Sequence, residues 1–245
     1  AFARGRLAGV VFAVAAASMV IGEIAALRER DIKKLLAFSS VGQMGMAVLA
    51  FTVGGDAGIF AGLFLLLNHT LVKPMLLMLA GFFIRKTGSS RWDEMGGAAR
   101  RNPLQGALFV LGGLSLMGMP VFGGFWGKLT LLKSLFDRPS TLPMVGAALL
   151  LFSTVIEGIY FLRIGHSLFE SDTAVQDRPP KGRRERADAA LTLAPAFILA
   201  LFTLLLGVQP GLVSGVLQSA AADLTDSARY IRNVLFTISK LGGGL

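Results

Sequence analysis

The chain has 245 residues, of which 53% are hydrophobic and 16% charged, and a mean hydropathy of +0.65. A soluble domain carries roughly 25% charged residues, so the composition reads as an all-α, polytopic membrane protein in a lipid bilayer. Cysteine is absent, which excludes a disulfide frame, a thiolate metal site and a cysteine nucleophile. The net charge of +9 falls mostly in short connectors between apolar runs, a topology signal and not a nucleic-acid recognition face.

Six segments are long enough to cross roughly 30 Å of hydrocarbon. Ala1 to Arg6 leads straight into the first, 7–27, so no signal peptide is read. The missing initial Met is expected of a chain that begins within a longer protein or after processing. A charged connector, 28–34, precedes the second segment, 35–53. Its Ser39, Ser40, Gly42, Gln43 and Gly45 are the small and polar residues that let helices approach closely and bond across the contact. Gly54, Gly55 and Asp56 turn the chain into the third segment, 57–84, which holds Asn68, His69 and Lys73 in an apolar background. After a basic loop, 85–102, the fourth segment (104–136) breaks and restarts. Pro120 removes a backbone donor, Gly123 and Gly124 weaken the helix, and Lys128 follows just past the break. The fifth segment, 142–167, contains Glu157. A basic loop, 169–188, leads to a closing segment, 189–210, and the tail 211–245 is amphipathic and expected to lie along a membrane surface or a partner.

The connectors after segments one, three and five hold four, five and five Lys/Arg, against none and one after segments two and four. Positive-inside counting therefore puts the basic loops in the cytoplasm and both termini outside.

An ionisable residue at mid-membrane depth is a functional candidate by default, and irregular backbone there is tolerated only under protein or water. Lys128 meets both conditions and is expected to gain and lose a proton during turnover; Lys133 is the better candidate for snorkelling. His69 and Lys73 lie four residues apart on one helix face, about 6 Å from each other, and are expected to form two steps of a proton relay. The bland alternatives are a histidine satisfied by a helix–helix hydrogen bond and a lysine capping the turn at Pro74. Glu157 is the carboxylate nearest the middle of a span, a counter-ion for Lys128 or a proton carrier. Glu23, five residues before Arg28, is expected to snorkel or pair with that arginine. No Walker loop, dinucleotide fingerprint, zinc pattern or haem-spaced histidine pair is present, so no catalytic centre, metal site or cofactor is expected.

Three runs carry a resemblance: DIKKLLAFSSVGQMG (31–45), NHTLVKPMLLMLAG (68–81) and LSLMGMPVFGGFWGK (114–128). Together, and in this order, they are similar to the antiporter-like membrane subunits shared by respiratory complex I, membrane-bound hydrogenases and Mrp cation/proton antiporters. GFWGK and the tail run ARYIRNVL (228–235) resemble the D-type Mrp subunit most. The resemblance implies about six helices, with 1–168 matching the second of two inverted five-helix repeats, broken over 120–124, and 189–210 the closing helix.

It further implies a non-catalytic, proton-translocating subunit of a redox-driven or exchange complex in a prokaryotic inner (plasma) membrane. Lys128 would be the distal proton-transferring lysine, and His69 and Lys73 the connecting relay. Glu157 acquires no role from it. Exchange against Na⁺ or K⁺ is left open. Implied partners are other membrane subunits, including one supplying the first half of the fold. This chain would then be a piece of a split subunit, part of a longer chain or a degenerate relative. A structural bridging subunit without transport is the alternative, and a solute transporter is disfavoured because few polar or aromatic groups surround the break.

Overall fold

The computed structural model describes residues 6–138, 140–170 and 183–226. The tail run 228–235 and the loop 171–182 lie outside the described residues. Among the described residues the chain is helical: α1 (Arg6–Arg28), α2 (Ile32–Val53), α3 (Gly55–Thr87), a 3₁₀ turn (Trp92–Glu94), α4 (Ala98–Arg101), α5 (Pro103–Met117), α6 (Gly123–Phe136), α7 (Thr141–Phe169), α8 (Arg183–Val208) and α9 (Gly211–Thr225). Four of these, α1, α2, α3 and α7, are each long and apolar enough to cross a membrane. The expected fourth segment is two half-helices of 15 and 14 residues, neither of spanning length alone. The closing segment begins earlier than expected, because 183–188 is already helical. At its far end the chain bends by 77° into α9, whose Thr225 hydroxyl donates to Asp56 at the start of α3 (2.6 Å).

Two basic connectors are tied together at one end of the bundle. Asp31 and Arg91 form an antiparallel bridge, closed by Ile32 N–H to Ser90 O (2.9 Å) and Trp92 N–H to Arg30 O (3.0 Å). The Asp31 carboxylate also caps α2, accepting from the amides of Lys33 and Lys34. From α7, Ser167 Oγ donates to Trp92 O (3.0 Å), so the end of that helix joins the same layer.

The interior has two apolar cores with a polar layer between them. One core, toward the basic connectors, gathers Leu35, Leu36, Met75, Leu79, Phe83 and Ile164; the other gathers Phe12, Met19, Met46, Leu49, Leu131 and Leu150. On α1 the change falls at Glu23, on α2 at Ser39 and Gln43, on α3 at Asn68, and on α7 at Ser153 and Glu157. Most backbone groups in apolar surroundings are satisfied within helices, so side chains, with the carbonyl end of α5, make this layer polar.

The small residues of α2 bring it close to α1. A Cβ added at Gly22 would stand 2.9 Å from Phe38 O, and one at Gly45 2.7 Å from Ala15 O, both far inside ordinary contact. Gly22→Leu is accordingly expected to pry α1 from α2 and destabilise by on the order of 1–3 kcal/mol. Thermal unfolding of the detergent-solubilised protein measures it. Gly9→Leu, where an added Cβ meets nothing within 4 Å among the described residues, is the control expected to leave the midpoint in place.

Candidate functional site: a buried Lys–Glu network at a broken helix

The break is built differently from the reading of Pro120, Gly123 and Gly124 as its cause. Helix α5 ends at Gly118, which adopts a left-handed conformation (φ 79°). The Gly118 N–H donates to Ser115 O and the Met119 N–H to Leu114 O, the paired bonds of a Schellman ending. The break therefore covers 118–122, with Pro120 outside either helix. Gly123 and Gly124 instead form the first turn of α6. They are needed there for close approach: a Cβ on Gly123 would lie 2.8 Å from Asn68 Oδ1, and one on Gly124 would collide with Ser115 O.

Val121 has a positive φ of 81°, a strained state for a β-branched residue at about 1–3 kcal/mol. Helix α8 covers it. A Cβ on Gly207 would come within 2.6 Å of Phe122 Cα, and Trp126 Nε1 donates to Gly207 O at 2.7 Å.

Ending α5 in mid-bundle leaves carbonyl groups without helical partners and the negative end of a helix dipole. Lys128, on the second turn of α6, reaches back to both. Its stem runs against Gly118, its Nζ donates to Met117 O (3.2 Å), and it forms an ion pair with Glu157 Oε2 at 2.6 Å. The pair is desolvated, with side-chain exposures of 9% and 0%. The second oxygen of Glu157 accepts from Gln43 Nε2 at 2.6 Å. Lys133, further along α6, is exposed.

Lys73 is buried too, but it does not cap its own helix at Pro74. Its ammonium crosses to α2 and donates to Leu36 O (3.0 Å) and Ser39 Oγ (2.8 Å). His69 shares the α3 face with Lys73; it is half-buried, and among the described residues its Nε2 has no hydrogen-bond partner. Asn68 accepts a hydrogen bond from Ser115 Oγ (2.8 Å), tying α3 to the end of α5.

The expectation for Glu23 is overturned. It neither snorkels nor pairs with Arg28 but is fully buried, its Oε2 accepting from Tyr160 OH at 2.9 Å. It fits because its neighbour on α2 is Gly42, where a Cβ would stand 2.9 Å from Glu23 Cδ. Glu23 also interacts electrostatically with Glu157, Lys128 and Lys73. Two carboxyl groups and two lysine side chains thus share one buried layer, and in their ordinary ionised forms their charges would cancel. Sequence reasoning singled out Lys128, Lys73 and Glu157 of these four. Tyr160 was missed; the available signal was its position three residues after Glu157, on the same helix face.

The fold is that of a helical membrane subunit with a broken helix and buried ionisable groups, and comparison with known proteins gives its family. The family described as NADH:quinone oxidoreductase/Mrp antiporter, TM, matches residues 1–170, and the chain belongs to it. It is 32% identical over 215 residues to NADH-quinone oxidoreductase subunit N of Desulforudis audaxviator, covering 84% of this chain and 42% of that protein. It is 30% identical over 223 residues to the D-type subunit of the Na(+)/H(+) antiporter of Bacillus subtilis, covering 91% of this chain and 43% of that one. A structure of the Mrp complex from Dietzia sp. DQ12-45-1b superposes with a TM-score of 0.81 at 28% identity, covering 94% of this chain and 49% of its own. The chain spans less than half the length of these relatives.

Removing one partner of a buried ion pair leaves an uncompensated charge and costs roughly 3–5 kcal/mol. Glu157→Ala is therefore expected to lower the unfolding midpoint of the detergent-solubilised protein strongly. The double variant Glu157→Leu with Lys128→Met, which removes both charges, is expected to recover most of that loss. An unchanged midpoint in Glu157→Ala would mean that the pair is not what satisfies Lys128.

Proposed function

We propose that this chain is the part of an antiporter-like subunit that moves protons through the buried layer, with Lys128 as the titrating group at the broken helix. The observation that carries this reading is the desolvated Lys128–Glu157 pair set on the free carbonyl end of α5. A neutral buried layer resists any excess charge, since each unpaired ion in low dielectric costs several kcal/mol. A proton arriving at Glu157 removes the counter-ion of Lys128, and the cheapest response is for Lys128 to release its own proton. Arrival and departure are coupled in this way without a large motion.

Lys73 and His69 extend the path along α3. Support for them is the burial of Lys73 and the unpartnered Nε2 of His69, one helical turn apart. Relatives that are NADH-quinone oxidoreductase and Na(+)/H(+) antiporter subunits suggest a larger membrane complex as the setting. The partners proposed are its other membrane subunits and the other half of the antiporter-like unit. The proposed location is a prokaryotic plasma membrane with the basic loops cytoplasmic, supported by the connector charge counts.

Lys128→Ala in the assembled complex is expected to reduce proton transport by roughly 10²-fold, the lower range for loss of a positioned proton carrier. Proton uptake by proteoliposomes measures it, with subunit content checked on the same preparation. Transport at the wild-type rate would refute the role given to Lys128.

A further inference from the structure

We propose that Glu23 is a proton-holding site, joined to Lys73 by a one-directional hydrogen-bond wire through Ser39 and Tyr160; this rests on the reading of Lys73 as a proton carrier. The geometry is continuous. Lys73 Nζ lies 2.8 Å from Ser39 Oγ, Ser39 Oγ lies 2.9 Å from Tyr160 OH, and Tyr160 OH lies 2.9 Å from Glu23 Oε2. Ser39 and Glu23 are fully buried, and Tyr160 and Lys73 nearly so.

Elementary donor counting gives the wire its direction. An ammonium can only donate and a carboxylate can only accept, while each hydroxyl has a single hydrogen. Tyr160 must spend its hydrogen on Glu23, so Ser39 must donate to the Tyr160 oxygen, and Lys73 must donate to Ser39. Every hydrogen in the row points from the cation to the anion.

A concerted shift along this row is balanced without another reactant. A Lys73 N–H bond breaks as the proton joins Ser39 Oγ, the Ser39 hydrogen passes to Tyr160, and the Tyr160 hydrogen forms the O–H bond of a neutral Glu23 acid. Lys73 is left as a neutral amine, and the two hydroxyls point the opposite way. One positive and one negative charge vanish together, so the layer stays neutral overall.

Two further observations fit a holding site better than a fixed tether. The other carboxylate oxygen, Glu23 Oε1, is buried and has no hydrogen-bond partner among the described residues, whereas a structural carboxylate would be expected to have both oxygens satisfied. Glu23 is also five residues before the end of α1 at Arg28, about 8 Å along the axis. That distance is spanned by the apolar core on the connector side, which insulates a proton held at Glu23 from the end of the bundle that carries the Asp31–Arg91 bridge.

Glu23→Gln separates the two roles, because glutamine still accepts from Tyr160 but cannot hold a proton in that way. In the assembled complex in proteoliposomes, Glu23→Gln and Tyr160→Phe are each expected to reduce proton transport by roughly 10²-fold. Their combination is expected to lose no more than either alone, as residues in series do. Wild-type transport in Glu23→Gln, or additive losses in the double variant, would overturn the wire. Should either variant fail to assemble, Ser39→Ala interrupts the same row by removing one small hydroxyl. Its expected loss is equal, and a wild-type rate there overturns the proposal as well. Lys128→Ala run in parallel keeps the two readings apart. If it abolishes transport while Glu23→Gln, Tyr160→Phe and Ser39→Ala do not, the wire is wrong and the role of Lys128 stands.

Discussion

An ammonium group in the middle of an apolar bundle has to be met by negative charge, and Lys128 draws it from two sources. One is formal, the carboxylate of Glu157; the other is the carbonyl end of α5, created by stopping that helix short. Much of the surrounding architecture serves this arrangement. Gly118 ends α5 and makes room for the lysine stem, Gly123 and Gly124 let α6 begin against Asn68 and Ser115, and Gly207 with Trp126 seats the strained Val121. A continuous helix through the same residues would have satisfied its own carbonyls and left the lysine with half its partners.

The pair is also the entrance to a wider layer. Glu157 binds Gln43 on α2, and Tyr160, one turn along the same face, binds Glu23 on α1. Ser39 links that tyrosine to Lys73 on α3. Five helices therefore meet through side-chain bonds between two apolar cores, and the meeting is possible because α2 is thin where α1 approaches it. Gly42 and Gly45 remove the side chains that would hold α1 away, and Glu23 occupies the space beside Gly42. Close helix packing and buried charge are one feature here, since the glycines that permit the first also admit the second.

Matched charges in such a layer set its chemistry. Two carboxylates and two ammonium groups are tolerable together, while any one alone would carry a large desolvation penalty. Under the proposed function, proton movement that preserves the balance would be favoured over movement that leaves an excess charge.

Much of this was legible in the chain itself. Long apolar runs, and a proline and glycines inside one of them, specify helical spans and a break, because each follows from local composition and length. Lys128, Lys73 and Glu157 stood out because charge in an apolar run is rare enough to be noticed without knowing its neighbours. Glu23 did not, since five residues from a charged connector is where a carboxylate can equally well reach water. Only the tertiary structure turned it inward, by placing Gly42 beside it and Tyr160 within reach of its carboxylate. The site of the break was likewise decided by packing: Pro120 and the glycine pair are conspicuous in sequence, yet Gly118 ends the helix and the pair serves close contact with α3 and α5. Periodicity tells which face of a helix a residue occupies; which helix that face meets is a property of the assembled bundle, and the buried network exists only there.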